Sequence, residues 1–256
     1  SDAIEAGRLS PYFYHVHQIS LTPDEQEDWE DLTREIQKKY AQYQSSDDDK
    51  FTGLPKYIKK LQIKRAKILK KARQKVQVAY NVLSQYYSTG DRWLVYCSDI
   101  DQLKRVHKKL DQLPFRVLEY HSKMKGDREM TLNYFKDNGG IVLSIKCLDE
   151  GVDIPNATHA LILASSKNPR EFIQRRGRVL RKSDNKHHAN IHDTIVMPYS
   201  TETEAPVTNI LESELSRAIR FGEDAENPKS IGDLKQIAVE AGIDYEELAE
   251  TGMEDD

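Results

Sequence analysis

The amino-acid sequence predicts an α/β protein. A mostly parallel sheet is preceded by a helical, coiled-hairpin segment and followed by small acidic helices. Three observations lead to this reading. From about residue 92, short apolar runs alternate with stretches of helical periodicity, which is the rhythm of βαβ units. Ahead of them, two long stretches keep their apolar residues at helical spacing,. From Glu202 to Asp256 the chain carries sixteen carboxylates against four bases in short helical patterns.

Taken in order, "LSPYFYHVHQIS" at 9–20 reads as an extended lead-in strand. "LTPDEQEDWEDLTREIQKKYAQY" follows as a helix, with Thr22 as N-cap, Pro23 at the first helical position and acids in the first turn,. "QSSDDDKFTGLP" is a linker by composition,. A second helix is expected over about 55–88, with Ile58, Leu61, Ile68, Ala72, Ala79 and Leu83 on its apolar side,. "STGDR" ends it. Strands are then expected at "WLVYC", "RVLEY", "GIVLSI", "HALIL" and "HDTIVMP", with helices at 99–112, 126–137, 169–181 and 203–222. Parallel sheets of this kind bind ligands at the carboxyl ends of their strands. The residues that follow each strand are therefore the candidates for function: Ser98, His121, Ser122, the stretch from Lys146 to Pro155, and Ser165 with Ser166.

Composition narrows the possibilities. The 256 residues are 38% hydrophobic and 31% charged, with a formal net charge of −4. No run approaches the roughly 18 apolar residues of a membrane span, so no membrane partner is expected. Two cysteines in or just after apolar runs, Cys97 and Cys147, suit a reduced, intracellular protein,. The eight histidines show no metal-ligand spacing and no metal site is read,. The chain opens without Met or a signal-like segment and is expected to be part of a longer, cytoplasmic, prokaryotic protein,. Charge is divided along the chain: Phe51 to Lys75 holds ten Lys/Arg and no acid. That basic run is either a solvated helix face or a surface turned toward nucleic acid.

Two stretches carry the chemistry. "EFIQRRGRVLRK", 171–182, holds four arginines and a lysine on an expected helix begun by Asn168 and Pro169,. Gln174, Arg178 and Arg181 stand at i, i+4 and i+7 and share one face. Arginine there offers fixed charge and a bidentate fork to a polyphosphate. "CLDEGVDIP", 147–155, follows an expected buried strand. Gly151 and Asp153 sit in its turn, where a carboxylate can take a ribose hydroxyl or a metal-bound water, or simply cap a helix.

Together these stretches resemble motifs V and VI of superfamily 2 helicases and translocases. "WLVYCSDIDQLKRV" resembles motif IV, and "YHSKMKGDREMTLNYFKDN" the segment between. Order and interval fit the second RecA-like domain, over roughly 90–200. The lead-in resembles, more weakly, the helical region of the type III restriction subunit and XPB-like branch. The resemblance implies a RecA-like three-layer sandwich, with 1–88 as helical lead-in, 89–200 as helicase C-terminal domain and 201–256 as acidic extension. That extension is read as a partner-docking segment, a wedge against duplex DNA or a packed part of the fold.

The resemblance also implies roles. Arg178 and Arg181 correspond to arginine fingers that reach the ATP γ-phosphate across an interdomain cleft. Gln174 organises that interface, and Gly151 and Asp153 lie on the nucleotide side. Ser98, His121, Ser122 and Lys146 lie where the family grips the nucleic-acid backbone. Ile145 stands where many relatives carry Thr, so one phosphate-binding hydroxyl is missing. No "GxxxxGK[ST]" loop or DEAH-like box occurs,. ATP and Mg²⁺ are therefore implied as cofactors of the full-length protein, with none bound by this fragment alone. The implied partners are nucleic acid (DNA ahead of RNA), an N-terminal RecA-like domain and a nuclease or methylase subunit. The competing reading is a nucleic-acid-binding or partner-docking module without motor function.

Overall fold

The computed structural model describes residues 10–45, 54–145, 157–164, 188–199 and 208–253. Chain order is β1 (Tyr12–Ser20), α1 (Pro23–Ser45), α2 (Lys56–Lys71), α3 (Gln74–Tyr86), β2 (Arg92–Cys97), α4 (Ile100–Leu110), β3 (Val117–Tyr120), α5 (Arg128–Asn138), β4 (Gly140–Ile145), β5 (His159–Ile162), β6 (Ala189–Met197), α6 (Thr208–Glu223), α7 (Lys229–Glu240) and α8 (Tyr245–Met253). The six described strands form one sheet in the order β1-β6-β5-β2-β4-β3, and every pairing is parallel.

The sheet is buried on both faces because its central strands are apolar on both. In β2, Trp93, Val95 and Cys97 pack with Ala79, Val82 and Leu83 of α3 and Leu103, Val106 and Leu110 of α4. Leu94 and Tyr96 point the other way, into a core shared with Phe135 of α5 and with Leu215, Ala218, Ile219, Phe221, Leu234 and Ile237 of α6 and α7. The result is the three-layer arrangement, helices over and under a parallel sheet. Helices α6, α7 and α8 of the acidic C-terminal segment are thus a packed part of the fold. Asp99 caps α4 by accepting from the Gln102 N–H at 3.0 Å, and Asp127 caps α5,. Gly139 ends α5 with φ +73°, and a Cβ there would lie 2.7 Å from the Asp91 carbonyl, so glycine is required,.

The lead-in strand is a full member of the sheet. β1 pairs with β6 along nine residues, Tyr12↔Ala189 to Ser20↔Met197. Its outer edge is closed by the α6–α7 connection. The Asn227 side chain accepts from the Tyr14 N–H at 2.8 Å and donates to the Tyr14 carbonyl at 2.7 Å, while the Glu226 N–H donates to the Tyr12 carbonyl at 2.9 Å. An amide side chain thereby stands in for a missing neighbouring strand.

The helix expected over 55–88 is two helices. The chain turns at Ala72, whose ψ is 127°. The cause is tertiary: Arg73 is captured by the first turn of α1. Its N–H donates to Glu25 at 3.0 Å, and its guanidinium meets Thr22 at 2.7 Å and pairs with Asp24. Glu25 also accepts from the Thr22 N–H at 3.1 Å, closing a capping box over Pro23,. The basic run is not uniformly solvated either. Arg65 is 1% exposed, stacked 5.5 Å over Trp29 and bonded to Thr33. Lys75 is 4% exposed, and burial lowers its pKa to about 8 against the opposing pull of Glu214 and Asp193.

Two buried polar groups link distant parts of the chain. Asp193 on β6 is fully buried. It accepts the Tyr14 hydroxyl at 2.8 Å and pairs with Arg217 of α6, which also reaches Glu214 at 3.2 Å. Burial works against the Arg217 charge, but Asp193 and Glu214 outweigh it and hold the guanidinium protonated. On the opposite face, four histidines from three strands gather beside Trp93. His15 and His192 stack at 4.5 Å between ring centroids, His17 Nε2 lies 2.9 Å from His192 Nδ1, and His159 stacks on Trp93 at 4.3 Å. Among the described residues no group of His, Cys, Asp or Glu has metal-binding geometry. Burial, then His15, lowers the His17 pKa to about 4. Burial, then His15, His17 and His159, lowers that of His192 to about 2.

Asp193→Asn leaves the Arg217 charge buried with half its partners. Denaturant melts should show a loss of about 3–5 kcal/mol, against about 1 kcal/mol for Tyr14→Phe. His17 and His192 set an acid limit. In the unfolded chain each of these two rings takes a proton near pH 6.5, whereas the folded chain keeps the pair neutral. Stability is therefore complete above about pH 6.5 and falls with decreasing pH. The expected slope reaches about 1.4 kcal/mol per pH unit for each ring, down to the folded pKa values. Urea melts across this range check the slope, which should be shallower in His17→Gln.

Candidate nucleic-acid interface

Because all described strands run the same way, their carboxyl ends share one edge. Cys97 of β2 pairs with Ile145 of β4, and Tyr120 of β3 with Ser144 of β4. Ser98, His121 and Ser122 therefore follow the two strands that flank β4, on a common edge. Lys146, Gly151, Asp153, Gln174, Arg178 and Arg181 lie outside the described residues.

The loop after β3 is organised by Glu119. Its carboxylate takes Lys104 Nζ at 2.9 and 2.7 Å, pairs with His107 Nδ1 and lies 3.3 Å from His121 Nε2. Burial would raise its pKa, but these donors outweigh it and hold it at about 2. His121 is 7% exposed, and its Nδ1 accepts from the Lys123 N–H at 3.3 Å. That bond assigns the ring proton to Nε2, facing Glu119. Both ring nitrogens of His121 are thus engaged within the protein, and the imidazole shapes the turn that exposes Ser122, Lys123 and Lys125.

The loop after β2 is organised by Gln102. This fully buried amide accepts from the Ser98 N–H at 2.7 Å and donates to the Lys70 carbonyl at 3.1 Å. Lys71 pairs with Asp99 beside it. The Ser98 hydroxyl has no hydrogen-bond partner among the described residues. Sequence reading singled out Ser98, His121 and Ser122 but passed over Glu119 and Gln102, which position them. A carboxylate inside the short strand "VLEY" was the available signal; an amide in an amphipathic helix offered none.

Comparison with known proteins agrees with this geometry. Residues 74–183 match the helicase conserved C-terminal domain. The chain is 31% identical over 114 residues to the DNA 3'-5' translocase XPB2 of Sulfurisphaera tokodaii, covering 44% of this chain and 25% of that protein. It is 29% identical over 140 residues to a probable helicase of African swine fever virus, covering 53% of this chain and 15% of the relative. The chain thus spans a quarter or less of the length of these curated relatives. Among solved structures, the C-terminal part of the Fun30 ATPase domain superposes with a TM-score of 0.51 at 12% identity, covering 81% of this chain and 97% of that one. This likeness is one of fold, RecA-like with a parallel sheet. Strand arrangement and fold agree on a RecA-like α/β domain, and residues 74–183 are similar to the helicase conserved C-terminal domain.

Proposed function

We propose that the chain is the C-terminal motor half of an ATP-dependent DNA translocase or helicase of the type III restriction and XPB-like branch. The single observation that supports this is the match of residues 74–183 to the helicase conserved C-terminal domain, in a chain whose described strands form one parallel sheet. An archaeal relative described as a DNA translocase supports DNA as the track.

In this reading Arg178 and Arg181 reach into a cleft formed with an N-terminal RecA-like domain that holds ATP and Mg²⁺. Gln174 braces them, and Gly151 and Asp153 line the nucleotide side. The phosphoryl group in flight spreads negative charge over its oxygens. A guanidinium placed there, in a water-poor cleft, stabilises that charge without reorganising solvent. Closure on ATP and opening after hydrolysis alternate while Ser98, Ser122 and Lys146 hold the backbone and His121 shapes its loop. The 1–88 lead-in and 201–256 extension are functional divisions around the 89–200 domain, built onto the same core. A nuclease or methylase subunit is the further partner that the restriction side of this branch would bring.

In the full-length protein, Arg178→Ala or Arg181→Ala should lower DNA-stimulated kcat by about 10³-fold or more, with ATP KM little changed. Lysine should not rescue, since it lacks the planar fork. Steady-state ATPase assays check this, and unchanged kcat overturns the reading. The 256-residue chain alone should show no DNA-stimulated ATP hydrolysis in the same assay.

A further inference from the structure

α2 is a lysine rod with one end fixed beside the strand-end edge. Its Ile58, Arg65 and Leu69 are buried, whereas Lys56, Lys59, Lys60, Lys64 and Lys67 are exposed. None of these five ammonium groups forms an ion pair or hydrogen bond among the described residues. No carboxylate occurs anywhere from Phe51 to Gly90. The first acids of α1, Asp24 and Glu25, are taken by Arg73, and Asp31 is taken by Arg34. The row of positive charge is therefore free of direct ion pairs among the described residues, although the chain as a whole is acidic.

Its position gives that charge a direction. Gln102 bonds both Ser98, at the end of β2, and the Lys70 carbonyl, in the last turn of α2. Lys71 and Asp99 close the same junction. The lysine row thus starts at the edge where Ser98 and Ser122 lie. From Lys71 back to Lys56 it spans about 22 Å at 1.5 Å per residue. Exposed Lys123 and Lys125 continue positive charge past β3. At about 3.4 Å per phosphate along one strand, the row matches six or seven phosphates.

The geometry points to α2 as a second nucleic-acid-binding surface, one that takes the phosphate backbone of a duplex beyond the strand-end grip, without reading sequence. Lysines act as point charges and carry no fork for base edges. The inference adds to the motor reading, on which it rests for the choice of a nucleic-acid partner. Its test needs no ATP, so failure of the arginine-finger assignment leaves it intact, and its own failure leaves that assignment intact.

The experiment is a salt titration of the 256-residue chain binding labelled DNA and RNA duplexes. The variant is the quadruple Lys59→Gln, Lys60→Gln, Lys64→Gln, Lys67→Gln. All four side chains are exposed, so folding should be retained, and a circular dichroism melt checks it. The slope of log Kobs against log salt should become shallower by about 3 to 4, equally for different sequences. Binding at about 0.1 M salt should weaken tenfold or more. The corresponding four Lys→Arg changes should restore the wild-type slope. Similar losses on both duplexes identify the shared backbone as ligand, and a loss confined to one identifies which is held. An unchanged slope, or no binding of either duplex by the unaltered chain at low salt, overturns the inference. So does loss of binding in Ile63→Ser with every lysine intact, since Ile63, 67% exposed on the same helix, is what a protein partner would use.

Discussion

Strands that all run the same way cannot be joined by hairpins. That constraint shapes the molecule. Each described strand must return to the starting side before the next begins, so helices cover both faces and every strand end that leads into a loop emerges on one edge. The sheet core is correspondingly apolar on both sides, with Trp93 and Val95 toward α3 and α4, and Leu94 and Tyr96 toward α5, α6 and α7. The candidate site is a consequence of this layout. Ser98, His121 and Ser122 are far apart in sequence but follow strands that are hydrogen-bonded neighbours through β4.

Polar groups buried in this frame decide which distant segments belong together. Asp193 collects Tyr14 from β1 and Arg217 from α6. A carboxylate with no access to water is tolerable only when its charge is matched and its lone pairs are used. The contact therefore favours this docking of the C-terminal helices over looser alternatives. Asn227 does related work at the sheet margin, giving β1 the hydrogen bonds that an added strand would otherwise supply. A lead-in strand and an acidic tail that look separate along the chain thus become the two flanks of one edge.

Near the strand ends the same economy recurs at smaller scale. Glu119 and Gln102 are each nearly or fully enclosed, and each spends its hydrogen bonds on a loop that carries candidate ligand-binding groups. Rigid second partners of this kind hold a polar site in place before any ligand arrives. Gln102 also joins the β2 loop to α2 through the Ser98 N–H and the Lys70 carbonyl.

The sequence by itself determined the class of fold, most of the elements and the motif-bearing stretches. Periodicity and capping are local: "WLVYC" is a buried strand and Thr22-Pro23 a helix start whatever surrounds them. It also marked the arginine-rich stretch 171–182, whose meaning comes from residue types at helical spacing. Only the tertiary structure decided the rest. The break at Ala72 has no glycine or proline to announce it and arises from Arg73 meeting acids some fifty residues earlier. The four histidines beside Trp93 are spread from His15 to His192 and meet only because β1, β6 and β5 are neighbours. Strand order, and every contact that depends on it, is settled by which apolar faces and buried charges can be satisfied together, and no local window of sequence contains that information.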